Sequence, residues 1–144
     1  MADDSHKLKA EVLTPEGKVF EGELFQVSAR TVVGEIGVRA RHAPMLARLV
    51  ASELRLYGER SDFDSADGGD RYAAAEGWLE VFANKVVILV EEAIEPGDLD
   101  TADLKERISD ADQRLSEADE DSTAAEVAQR DKDRAEAFLE IAGS

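Results

Sequence analysis

The stretch EPGDLDTADL, Glu95 to Leu104, divides the chain into two kinds of sequence. Pro96-Gly97 breaks whatever precedes it, because proline lacks an amide donor and glycine has no side chain to restrict it. Asp100 then offers a side-chain oxygen to the orphan amides of a helix start. Beyond it Leu104, Ile108, Ala111, Leu115 and Ala118 recur at helical spacing, a narrow apolar stripe along one face. SEADEDS interrupts the stripe, and Thr123 with Glu126 has the spacing of a capping box for a second helix. Val127, Ala135, Phe138 and Ala142 give that helix its apolar side, with Asp131 breaking the middle. Two short helices and a short link predict an antiparallel hairpin over 98–144. Stripes this thin bury little, so the hairpin must lean on something, and detachment is physically open to it.

Upstream of Glu95 the period is that of strands. LKAEV puts Leu8, Ala10 and Val12 on one face, and TPEG has Pro15 and Gly17 where a type I turn wants them. ELFQVSA places Phe25, Val27 and Ala29 together, and ELRLY places Leu54 with Leu56. GWLEVF sends Leu79 and Val81 one way and Trp78, Glu80 and Phe82 the other. KVVILV, Lys85 to Val90, is apolar on both faces, which predicts a strand covered on both sides. Short strands separated by turn signals predict a sandwich or barrel over 1–97. The fold class is α+β, an all-β domain followed by a helical one.

Charge narrows the partners. The chain carries 17 basic against 33 acidic residues, a formal charge of −16. So negative a surface repels phosphate backbones and anionic lipid. There is no cysteine, which removes disulfides, thiol nucleophiles and thiolate metal sites. MADDSHKLKA has no apolar h-region, and no run approaches the roughly 20 apolar residues of a spanning helix. The expectation is a soluble chain that meets a membrane only through a partner.

Candidate chemistry is sparse. SDFDSADGGD, Ser61 to Asp70, is an Asp-rich loop, but counted from Asp62 its spacing fails the EF-hand: Ala66, Asp67 and Ala73 occupy the fifth, glycine and final acid positions. GEIGVRAR has glycines three apart and no third one, so it is no dinucleotide fingerprint. His42 with Glu35 could form an acid–base pair, or both could be exposed polar groups at a loop end. In GEIGVRARHAPML, Gly34 and Gly37 bracket a change of direction and Pro44 removes a donor. The expected product is a rigid connection presenting Glu35, Arg39, Arg41 and His42 as a docking surface. Arg130, Lys132 and Arg134 form the tail's only basic cluster, with Asp131 and Asp133 partly neutralising it.

GEIGVRARHAPMLARL resembles the segment of the ε subunit of F-type ATP synthases that carries G-E-(L/I)-G followed by H-A-P and two apolar positions. LKAEVLTPEGKVFEGE resembles that family's opening strands, and GWLEVFANKVVILVEEAIEPGDLD its last strands and the exit into its helices. The resemblance implies a β-sandwich of about ten strands over 1–97 and a helical hairpin over 98–144. It implies a non-catalytic rotor subunit of the central stalk, coupling proton-driven c-ring rotation to ATP synthesis. Its partners would be the γ subunit and the c-ring, and transiently α and β, with no nucleic acid, metal or cofactor. The isolated chain would be a monomer, one copy per complex, peripheral on the cytoplasmic face of a bacterial cell membrane. Gly34, Glu35, Gly37, Arg41, His42 and Pro44 would form the γ and c-ring interface, Glu35 facing the ring and His42 near both. Arg130, Lys132 and Arg134 would be the helical contact with β or γ in a hairpin that in some relatives inhibits hydrolysis. Relatives that bind ATP carry an arginine where this chain has Asp103, and an acid there repels phosphate. The competing expectation is a stand-alone acidic β-sandwich adaptor or cation-binding protein, using Asp62 and Asp64 or His42.

Overall fold

The computed structural model describes residues 6–143; the start of MADDSHKLKA and Ser144 lie outside the described residues. Ten strands come first: β1 (Leu8–Thr14), β2 (Gly17–Leu24), β3 (Gln26–Thr31), β4 (Gly34–Arg39), β5 (Met45–Leu49), β6 (Ser52–Tyr57), β7 (Asp70–Ala74), β8 (Gly77–Phe82), β9 (Lys85–Val90) and β10 (Ala93–Ile94). One helical turn, α1 (Arg60–Phe63), interrupts them, and α2 (Thr101–Glu117) and α3 (Thr123–Ala142) follow a 3-10 turn at Pro96–Asp98.

Strands β10-β7-β6-β3 form one layer, with β4 on the free side of β3, and β5-β8-β9-β1-β2 form the other. The layers join where Thr31 of β3 pairs with Leu49 of β5. All pairings are antiparallel except β1 with β9, which runs parallel from Lys9↔Lys85 to Leu13↔Leu89. Between the layers lie the residues that alternation put inside, among them Val12, Val27, Leu54, Leu56, Leu79, Val81 and Ile88.

Three expectations are corrected. Leu89 is 49% exposed, so β9 is covered on one face only; its apolar outer side belongs to an open surface. The segment 61–70 is not wholly loop, because Arg60–Phe63 makes a helical turn. Phe63 packs edge-on against Tyr57 at 5.2 Å and near Phe25 at 6.2 Å, which seats the segment on the sandwich. The cap of α3 is Ser122, whose Oγ accepts from Ala125 N at 3.1 Å, and Thr123 is already helical. Asp100 does cap α2, accepting from Asp103 N.

The hairpin leans on β7. Leu104, Ala135, Phe138 and Ile141 close over Ala73 and Ala75 in a second, smaller core. Asp131, which interrupts the apolar stripe, accepts from Arg114 Nη2 at 3.0 Å and ties α3 to α2. The interruption is therefore an interhelical ion pair.

Candidate docking surface

The segment Gly34–Leu46 is not a single turn. Gly34 closes the β3–β4 hairpin at φ +133°, a backbone angle that L side chains resist. Thr31 Oγ1 approaches Gly34 O at 2.8 Å and accepts from Val33 N, which shapes the tip. Gly37 lies inside β4 opposite Ser28, and its glycine serves a different need. A Cβ there would stand 2.9 Å from Nε2 of the buried Gln26. Gln26 in turn accepts from Arg39 Nε at 2.7 Å, and the Arg39 guanidinium stacks over Phe25 at 4.6 Å and Phe63 at 5.0 Å. Arg39 is thus part of the scaffold more than a free docking group.

The strand separates the expected residues into two groups. Six residues of β4 span about 17 Å at roughly 3.4 Å each. At one end Glu35 pairs with Arg30 at 3.0 Å, beside Val32 and Val33, which are 57% and 91% exposed. At the other end are Arg41, His42 and Pro44. His42 is half-buried, with Nδ1 2.7 Å from Ala43 O, while Pro44 is exposed. Glu35 and His42 sit at opposite ends of the strand and cannot act as an acid–base pair. Arg41 has φ +65°, and its amide donates to Asn84 Oδ1 at 2.9 Å.

Sequence reasoning missed an adjoining surface. Leu46, Trp78, Phe82 and Leu89 are all exposed and project from the outer side of β5, β8 and β9. Registers Leu46↔Glu80, Arg48↔Trp78 and Trp78↔Leu89 make them neighbours on one face. Glu80 and Arg48 share this face, and exposed apolar groups gathered among charges mark interaction sites. The signal was present in GWLEVF, whose alternation had already turned Trp78 and Phe82 outward. Leu46 and Phe82 lie at the same end of the sheet as Pro44, so the loop and the apolar face are continuous.

Of the basic cluster on α3, Arg134 turns in to the sandwich, Lys132 turns to α2, and the Arg130 side chain stays about half exposed. Arg134 Nε donates to Glu76 Oε2 at 3.2 Å, its Nη2 to Glu76 Oε1, and its Nη1 to Glu92 at 3.3 Å. Arg130 approaches Glu76 at 3.7 Å, and Arg107 of α2 approaches Glu92 at 3.9 Å. Lys132 pairs with Asp112 at 2.7 Å. Burial pushes the Glu76 carboxyl up, but the Arg134 hydrogen bond and the charges of Arg134 and Arg130 outweigh it and hold the group below the ordinary range. Three guanidiniums of the hairpin therefore converge on two carboxylates of the sandwich. The N-terminal half of α3 stands over a groove of about 560 Å3, lined in part by Val32, Arg48, Val127 and Arg130. Asp103 pairs with Arg107 one turn further along α2 at 2.8 Å.

The Asp-rich segment is engaged in its own structure. Asp62 Oδ2 accepts from Glu59 N at 2.9 Å, Asp64 approaches Arg60 at 3.8 Å, and Arg55 donates to the Ala66 and Gly68 carbonyls.

Residues 7–96 match the model of the ATP synthase Delta/Epsilon chain β-sandwich domain. An ATP synthase epsilon chain of Halalkalibacterium halodurans is 34% identical over 136 residues, covering 94% of this chain and 97% of that one. One from Persephonella marina is 36% identical, covering 92% and 94%. Among solved structures, a chain of the Euglena gracilis mitochondrial ATP synthase (OSCP/F1/c-ring) superposes with a TM-score of 0.74 at 19% identity, covering 99% of this chain and 85% of that one. Among the described residues no helix is long and apolar enough to cross a membrane.

Proposed function

Since this chain belongs to the ATP synthase delta/epsilon family, we propose that it is the non-catalytic central-stalk subunit that couples ion-driven c-ring rotation to ATP synthesis in the catalytic head. The observation that carries this is the length of the likeness: sandwich and hairpin together align with an epsilon chain over nearly all of both chains. Its partners are γ and the c-ring. It works as a peripheral member of the complex, on the cytoplasmic face of a bacterial cell membrane.

Residues 1–97 are the docking domain and 98–144 the movable one. The Arg41–Pro44 loop with Leu46, Trp78, Phe82 and Leu89 is the face offered to γ, where an apolar, partly aromatic surface gains most from being covered. The Val32–Glu35 tip, at the far end of β4, is a separate contact with the ring. Arg130, Lys132 and Arg134 are the hairpin's contact with β or γ, and Arg134 reaches another subunit only when the hairpin lifts, because Glu76 and Glu92 of the sandwich hold it while it is docked. The cation-binding alternative loses its residues, since Asp62 and Asp64 cap and brace α1.

Co-expression with the matching γ subunit tests the reading. A stable complex that survives purification is the expected result, and two chains that purify separately would overturn it.

A further inference from the structure

Three segments distant in sequence meet at Asn84. Its Oδ1 accepts from Arg41 N at 2.9 Å, its Nδ2 donates to Lys7 O at 3.0 Å, and its carbonyl accepts from Lys9 N at 3.1 Å. One residue at the β8–β9 turn thus holds both the entry to β1 and the loop between β4 and β5. Arg41 Nη2 also donates to His6 Nε2 at 2.9 Å, which closes the group from the other side.

Turn geometry does not account for the side chain. Ala83 and Asn84 have φ +51° and +59°, the two positive values of a type I′ hairpin turn. The second central position of such a turn takes glycine at least as well as asparagine. The carboxamide is therefore free to serve other segments. What it serves is a strained backbone: Arg41 is a non-glycine residue at φ +65°, and its amide is the one Asn84 receives. Such a conformation persists only when its surroundings hold it.

We propose that Asn84 is a positioning residue that fixes the Arg41–Pro44 loop in the shape that meets the partner subunit. This rests on the reading of that loop and the adjoining apolar face as the docking surface. Asn84 adds no large contact of its own. It lowers the cost of ordering the loop at the moment of binding, because the loop is already ordered.

Asn84→Gly keeps the turn and removes both side-chain bonds, whereas Asn84→Asp keeps the acceptor for Arg41 N and loses the donor to Lys7 O. Two readouts apply to the full chain: hydrogen exchange at the Arg41 amide, and affinity for the γ–c-ring subcomplex. His42→Ala, with Pro44→Ala, reports on the docking surface itself. The expected result is faster Arg41 exchange in Asn84→Gly, near-native exchange in Asn84→Asp, and about tenfold weaker binding for Asn84→Gly, as pre-organisation requires. Unchanged Arg41 exchange in Asn84→Gly overturns the inference. So does faster exchange with native affinity while His42→Ala and Pro44→Ala bind weakly. Native affinity in Asn84→Gly, His42→Ala and Pro44→Ala alike overturns the docking reading on which the inference stands.

Discussion

Arg134 of α3 closes on Glu76 with two hydrogen bonds, across 58 residues of chain, and so joins the helical hairpin to the sandwich. Beside it stand the pairs of Arg134 and Arg107 with Glu92 and of Arg130 with Glu76, and a small core in which Phe138 packs with Leu104, Ile141 and several alanines. Docking therefore depends on a few groups whose removal can be read separately.

Glu76→Gln should weaken docking by roughly 1–2 kcal/mol, since the pair is partly screened and Glu92 still holds Arg134. Hydrogen exchange across α3 and proteolysis near Asp98 should both quicken, while exchange in β1 and β9 stays slow. Unchanged protection of α3 would mean that the small core suffices alone.

Docking should also weaken in acid. The Glu76 carboxyl is held below its ordinary value in the docked state, with burial opposing and Arg134 prevailing. A depressed folded value means that the free form takes up its proton first as pH falls. The stabilisation is then complete above the usual glutamate range, near about pH 4.3, and disappears as pH drops further through the lowered value. Following α3 exchange between neutral and acid pH checks this, and Glu76→Gln should flatten the dependence.

Phe138→Ala removes the largest fully buried side chain among the described residues. A loss of about 3–4 kcal/mol is expected for such a deletion in a packed site. Because the sandwich core is separate, the loss should appear as an earlier unfolding of the helices in far-UV circular dichroism. A single transition shifted as a whole would show that hairpin and sandwich unfold together.

Trp78→Ala and Phe82→Ala should behave in the opposite sense. Both side chains are about half exposed or more, so stability should change by no more than about 0.5 kcal/mol. Their effect belongs in γ binding, where a buried aromatic anchor is worth about 2 kcal/mol or more. Calorimetric titration with γ separates the two quantities, and native affinity in both variants would remove the apolar face from the interface.

Gly37→Ala and Gly34→Ala test two uses of glycine in one motif. At Gly37 the new Cβ meets Gln26 Nε2 at 2.9 Å, and Gln26 is held by Arg39 and Ser28, so overpacking should cost about 1–2 kcal/mol. At Gly34 nothing lies within 4 Å, and the penalty comes from φ +133°. Urea denaturation should find both destabilised, with only the Gly37 change disturbing the Arg39 stack on Phe25.

Much of this was legible in the residues. The break at Pro96-Gly97, the Asp100 cap and the inward sets Leu8–Ala10–Val12 and Leu79–Val81 follow from period and capping chemistry alone. What period could not supply was pairing. KVVILV reads as buried on both sides because composition says nothing about whether a second layer covers Leu89. Gly37 reads as a turn because glycine in a sequence carries no record of the neighbour that crowds it. Arg130, Lys132 and Arg134 read as a basic cluster for another subunit because their partners, Glu76, Glu92 and Asp112, lie elsewhere along the chain. Asn84 gave no signal, since its three contacts exist only once β1, β4 and β9 are assembled.

The parallel pairing of β1 with β9 has a consequence for synthesis. Strand β1, translated before the other strands of the sandwich, gains its second neighbour only when Lys85–Val90 has emerged, so its hydrogen bonds on that side wait for almost the whole sandwich. Closing so long a segment costs entropy before any contact repays it. The Arg41–Pro44 loop and the Trp78 face, though translated earlier, become surfaces only at that closure. On the docking reading proposed above, a nascent chain offers that face to γ only once Lys85–Val90 is in place, and the last full strand sets the timing.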